Sequence, residues 1–112
     1  MSNESSTKPL TFIYYLARTE DSAEHVLDMR VKLEIFAKEE GYEVDRIFVE
    51  AGNLPAGKLR RALESAAPRE VKAIIIPDAS HLGTDANMQE ERRLILEKAG
   101  LSAVFLAKEG TA

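Results

Sequence analysis

Residues 10–22 read LTFIYYLARTEDS. An apolar run with aromatic and β-branched residues stops at Arg18 and passes at once into Glu20, Asp21 and Ser22. Apolar runs of this kind are strands, and this one is too continuous to keep a solvated face. The polar continuation is either a reactive loop at a strand end or the start of a helix. Asp21 or Ser22 would then serve as N-cap, with Glu24 in the first turn.

Working outward, VKAIIIP (71–77) repeats the pattern of a strand buried on both faces, while VDRIFV (44–49) and SAVFLA (102–107) are further strand candidates. The intervening segments have helical spacing. In 22–40, Val26, Met29, Leu33, Phe36 and Ala37 share a face. In 57–67, Leu59, Ala62, Leu63 and Ala66 do so, and Pro68 stops the helix. In 85–99, Met88, Ile95 and Ala99 align, with Gly100 placed as a C-terminal cap. The order β-α-β-α-β-α-β predicts an α/β domain with a parallel sheet covered by helices on both faces. Ligands of such folds bind beyond the C-terminal strand ends, which selects loops 17–22, 50–57 and 78–84. Val31 and Ile35 lie one turn apart on the face of the first helix opposite its core stripe. They read as isolated surface apolars, the commoner case, or as a contact with a second chain.

The 112 residues fit one domain, 10–112, behind a polar segment MSNESSTKP (1–9) that is expected to be a frayed tail and lacks the apolar core of a signal peptide. Hydrophobic residues at 45% and charged residues at 30% are the balance of a soluble globular protein. No run is long enough for a membrane span. The absence of cysteine excludes disulfides and thiolate metal sites and fits a cytoplasmic protein. A net charge of −4 disfavours autonomous DNA binding, which draws its affinity from phosphate neutralisation.

Three constellations could carry chemistry. GNLPAGKL (52–59) matches G-x-x-x-x-G-K between a strand and a helix, as a phosphate loop should. However, Leu59 replaces the magnesium-binding hydroxyl and Pro55 lacks an N–H, so a Gly/Pro turn with a solvated Lys58 is the better reading. Glu20, Asp21 and Asp78 could form an acidic pocket like that of a response-regulator receiver. Capping of the first helix explains the first two more simply. Asp78, Ser80 and His81 have the residue types of a hydrolytic triad but not its spacing. His81 and His25 are expected to be exposed, and two such distant histidines make no metal site. No metal or other cofactor is expected.

In order along the chain, YYLARTEDS, GYEVDRIFVE, KLRRALESAAPREVKAIIIPDASHLG and QEERRLILEKAGLSAVFLAKEG resemble successive elements of the N-terminal catalytic domain of serine recombinases, the resolvases and invertases. The likeness runs from about Phe12 to Glu109. It implies a three-layer sandwich with strand order 2-1-3-4. In that family a serine attacks a DNA phosphate while arginines stabilise the phosphoryl charge. Carried over, the resemblance puts the arginine of the Y-x-R-x-S-T opening at Arg18 and its nucleophilic serine at Glu20. The D-R-L-x-R loop falls on Ser80, His81, Leu82, Gly83 and Thr84, where only Leu82 and Gly83 match. A further arginine-bearing loop is shortened near Ala56 and Gly57. Ser22 is the conceivable substitute nucleophile. The resemblance also implies a long dimerisation helix and a DNA-binding domain, for which the sequence to Ala112 leaves no room. The expectation is a catalytically degenerate, free-standing resolvase-like domain. It would act through protein contacts, as a homo-oligomer or with another recombinase-like chain, and Val31 and Ile35 are the interface candidates. The alternatives are a residual DNA-recombination component that borrows DNA binding from a partner, and an anion- or small-ligand-binding module built on Arg18, Lys58 and His81.

Overall fold

A computed structural model describes residues 8–106. The segment read as a frayed tail falls largely on residues 1–7, which lie outside the described residues; Pro9 already offers its carbonyl to the Glu43 N–H at 2.9 Å. Thr11–Leu16 are all buried and form most of β1 (Leu10–Ala17), the inner strand between β2 (Glu43–Ala51) and β3 (Ala73–Ile76). β4 (Ser102–Phe105) completes a four-stranded parallel sheet in the order β2-β1-β3-β4. The two-sided burial of β1 and β3 is the outcome their continuous apolar runs demand. Thr11 is the polar exception in β1. Its hydroxyl donates to the carbonyls of Ala73 and Phe12, at 3.1 and 3.0 Å, so it is not stranded in the core.

The strand period of two sorts β1 between two cores. Phe12, Tyr14 and Leu16 pack with α2 (Gly57–Ala66) and α3 (Ala86–Lys98), and the Phe12 ring meets Phe48 edge-on with centroids 5.1 Å apart. Ile13 and Tyr15 face α1 (Ala23–Glu39), whose Val26, Met29, Leu33, Phe36 and Ala37 form the expected stripe. Among the described residues no helix is long and apolar enough to cross a membrane.

Two expectations need correction. In α3, Ile95 is exposed and Leu96 is the buried residue. Leu94, Ile95 and Leu96 are consecutive, so only one can meet the sheet. The helix end decides which: Leu101 N–H donates to the Leu96 carbonyl at 2.9 Å, drawing both leucines into the same core. Second, β2 runs two residues beyond Val49, and the extension carries Glu50 into the interior.

Each of α1, α2 and α3 ends in the same hydrogen-bonded turn, in which a residue of positive φ lets the next N–H reach back to the last core residue of the helix. The bonds are Tyr42 to Ala37, Val71 to Ala66 and Leu101 to Leu96, each 2.9 Å. Gly41 (φ 86°) and Gly100 (φ 85°) fill the left-handed position of α1 and α3, but Glu70 (φ 58°) fills that of α2. A side chain there strains the backbone. Glu70→Gly is therefore expected to raise stability by about 1 kcal/mol and the melting temperature by several degrees in a thermal melt. No gain would mean that the Glu70 side chain makes a compensating contact.

Candidate functional site

At the C-terminal edge of the sheet the loops after β1 and β3 are tied together. Asp21 turns the first loop: its carboxylate accepts from the Arg18 N–H at 2.9 Å, and its own N–H donates to the Arg18 carbonyl at 3.0 Å. Ser22 is the N-cap of α1, accepting from the His25 N–H at 3.0 Å. The stretch 17–22 is thus a helix start, with Ser22 as the cap. In the loop after β3, Asp78 caps a short 3-10 turn (Ala79–His81), accepting from the Ser80 N–H at 2.9 Å and from the Ser80 hydroxyl. Arg18 bridges the two loops, donating from Nη2 to the Ser80 carbonyl at 3.1 Å and to its Oγ at 3.2 Å.

His81 is not the exposed loop residue the sequence suggests; it is buried. β3 stops at Ile76, before the end of β1, and the ring takes over where the strand has gone: His81 Nδ1 accepts the Leu16 N–H at 2.9 Å. An accepting Nδ1 carries no proton, so the ring is the Nε2–H tautomer. Burial, with the Arg18 charge adding to it and Asp78 and Asp21 opposing, lowers its pKa to about 4. At neutral pH His81 is uncharged and contributes no cation to an anion site.

Arg18, Asp21, His25 and His81, with Tyr15 and Met29, line a cavity of about 20 Å³. That is room for one water, not for a phosphodiester. Of the three anion-binding candidates, this cavity brings together Arg18 and His81, and Lys58 does not line it. Thr84 points elsewhere, its hydroxyl 3.4 Å from the Met88 sulfur, and Glu20 is exposed, accepting from the Thr19 hydroxyl at 3.3 Å. Among the described residues no three carboxylates or histidines are grouped to hold a metal ion. Gly83 has a packing role, since a Cβ there would lie 2.6 Å from the Met88 Cβ.

The loop after β2 contains the group that sequence reasoning missed. Glu50 Oε1 accepts from the N–H groups of Ala56, Lys58 and Leu59 at 2.9, 3.1 and 3.2 Å and from the Tyr14 hydroxyl at 3.1 Å. The helix N-terminus of the G-x-x-x-x-G-K stretch, which could cradle a phosphate, is filled by the chain's own carboxylate. Burial opposes the charge, but these four donors outweigh it and hold the Glu50 carboxyl below its ordinary range. Burial and the Glu50 charge push the Tyr14 phenol up, keeping it a donor. A signal was present in the sequence: α2 has Ala56 at its N-cap, which offers no side-chain acceptor, so its free N–H groups require one from elsewhere.

No family model and no curated protein sequence matches the chain. Solved structures do. The C-terminal catalytic domain of ISC1926 TnpA, an IS607-like serine recombinase, superposes with a TM-score of 0.75 at 18% identity, over 89% of this chain and 69% of that one. A resolvase family site-specific recombinase from Streptococcus pneumoniae gives 0.73 at 16%, over 88% and 72%. The first ORF of transposon ISC1904 from Sulfolobus solfataricus gives 0.69 at 17%, over 88% and 68%. The chain has the fold of a serine recombinase catalytic domain. In this resolvase-like domain the strand-end loops, where a ligand of an open α/β sheet would bind, are the ones cross-linked by Arg18, Ser80 and His81.

Proposed function

We propose that this resolvase-like domain is catalytically silent and works through protein contacts, with other copies of itself or with another recombinase-like chain. The observation that carries the reading is that the polar groups at the strand ends are spent on one another. The Ser22 hydroxyl caps α1, the Ser80 hydroxyl donates to Asp78, and the Arg18 guanidinium is held by Ser80. Phosphoryl transfer needs a nucleophile aimed at the phosphorus and fixed positive charge around the equatorial oxygens. Here Asp21 and Asp78 stand beside Arg18, His81 is neutral, and the position that the resemblance aligns with the family nucleophile is Glu20. A carboxylate there repels a DNA phosphate.

The test is covalent capture. The purified protein is incubated with nicked duplex DNA that traps a serine–phosphate link, and the mixture is run on a denaturing gel. No shifted band is expected. A protein–DNA adduct that disappears in Ser22→Ala or Ser80→Ala would overturn the reading and promote the residual recombination component in its place.

A further inference from the structure

Opposite faces of the sheet each carry an apolar feature that the domain itself leaves uncovered. On α1, Leu27, Val31 and Ile35 recur every fourth residue along the outer face and are 59%, 45% and 52% exposed. This extends the Val31–Ile35 pair read from sequence by a full turn. On the other side of the sheet, α2 and α3 leave between them a groove of about 340 Å³. Leu59, Leu63 and Leu96 line it, with Ile95 exposed at its edge and Arg60 and Arg92 among its walls. The volume suits a row of aliphatic side chains rather than a single one.

The charges of the groove and of the N-terminal half of the stripe are complementary. Among the described residues neither Arg60 nor Arg92 has a carboxylate within 4.0 Å, whereas Arg69 and Arg93 are paired. Beside the α1 stripe, Arg30 and Glu34 neutralise each other at 3.7 Å; of the other charges there, Glu24 and Asp28 flank its Leu27–Val31 half, and Lys32 and Lys38 flank its Ile35 end. An apolar helix stripe that is acid-flanked in its N-terminal half thus stands on one face, and an arginine-walled apolar groove on the other.

We infer that α1 of one copy seats in the α2–α3 groove of another. This deepens the protein-contact reading above, and rests on it, by naming the partner as a second copy and both surfaces. Because the two surfaces differ and lie on opposite sides of the sheet, the contact is head-to-tail. It does not close by a twofold axis, and each added copy presents a fresh groove or a fresh helix.

Sedimentation equilibrium over a range of concentrations tests this. The wild-type chain is expected to grow past two copies from its 12.4 kDa monomer, and to do so less at high salt. Val31→Asp removes the helix stripe and Ile95→Asp the groove edge. Each should weaken self-association by about tenfold or more, which is at least 1.4 kcal/mol. Both positions are half-exposed, and circular dichroism checks that the fold is kept. The deciding sample is the equimolar mixture of the two variants. One intact groove then meets one intact helix, giving a species of two copies that grows no further. A mixture that stays monomeric while the wild type associates would overturn the head-to-tail contact, as would a wild-type chain monomeric throughout. A monomeric chain that still captures a recombinase-like protein would sink this inference alone and leave the broader protein-contact reading standing.

Discussion

Replacing Glu50 with alanine is expected to destabilise the domain by about 3–4 kcal/mol, a large part of the stability of a chain this size. The loss is not that of a surface charge. Glu50 is buried, and its carboxylate is the common acceptor for the Ala56, Lys58 and Leu59 N–H groups and for the Tyr14 hydroxyl. Removing it leaves the buried Tyr14 hydroxyl and Leu59 N–H without a partner, deprives two part-buried N–H groups of theirs, and takes a negative charge from the N-terminus of α2, where the helix dipole favours one. Glu50→Gln is expected to cost less, about 2 kcal/mol, because the amide keeps one acceptor oxygen but turns an NH₂ toward the N–H groups. Urea denaturation at neutral pH measures both. A cost below about 1 kcal/mol for the alanine variant would show that water replaces the carboxylate and that α2 does not depend on it. The carboxyl is held below its ordinary value of 4.5. Its contribution is therefore complete above that value and is lost as pH falls below it through the folded-state pKa.

His81 gives the second large effect, at higher pH. In the unfolded chain its imidazole titrates at the ordinary 6.5; in the folded domain it titrates at about 4. Between these values the unfolded state binds a proton that the folded state refuses. Stability is thus full above 6.5, falls as pH drops toward 4, and levels off below that. The whole fall is about 3 kcal/mol, of which about 2 kcal/mol is lost by pH 5. The cause is the geometry at the end of β1: a protonated Nδ1 could not accept the Leu16 N–H, and the ring is buried beside Arg18. His81→Asn places an oxygen near the Nδ1 position and removes the titration. Urea midpoints at pH 7.5 and 5 should therefore differ less in the variant than in the wild type, by about 2 kcal/mol on conversion to free energy. Equal pH dependence in the two proteins would show that other groups carry the acid sensitivity.

The elements were legible in the sequence because their signals are local. The apolar runs of β1 and β3 need burial on both faces, and the stripes of α1 and α2 turn with the helical period. Ser22 is followed by a first turn that wants a cap, and Gly100 sits where a helix must reverse. The place where the local signal failed is α3. Three consecutive apolar residues gave periodicity nothing to choose between, and the Leu101–Leu96 bond at the helix end made the choice. At the site, the type of each residue was readable but its state was not. His81 looked like a loop histidine; its burial depends on β3 ending before β1 does, which lets the ring meet Leu16, 65 positions away along the chain. Glu50 looked like the last acid of a strand. Its role depends on Tyr14 from a neighbouring strand and on a helix start eight residues further on.

By itself, the sequence determined the alternation of strands and helices, the parallel sheet that follows from it, and the buried faces of β1, α1 and α2. These follow from side-chain period and backbone conformation, which act over a few residues. The tertiary structure decided which charges are free. It tied Arg18 to Ser80, neutralised His81 by burial, and spent Glu50 on the helix that might have held a phosphate. It also set the α1 stripe and the α2–α3 groove on opposite faces. Charge and hydrogen-bond capacity are settled by whatever lies within a few ångströms, and in a parallel sheet those neighbours come from distant parts of the chain.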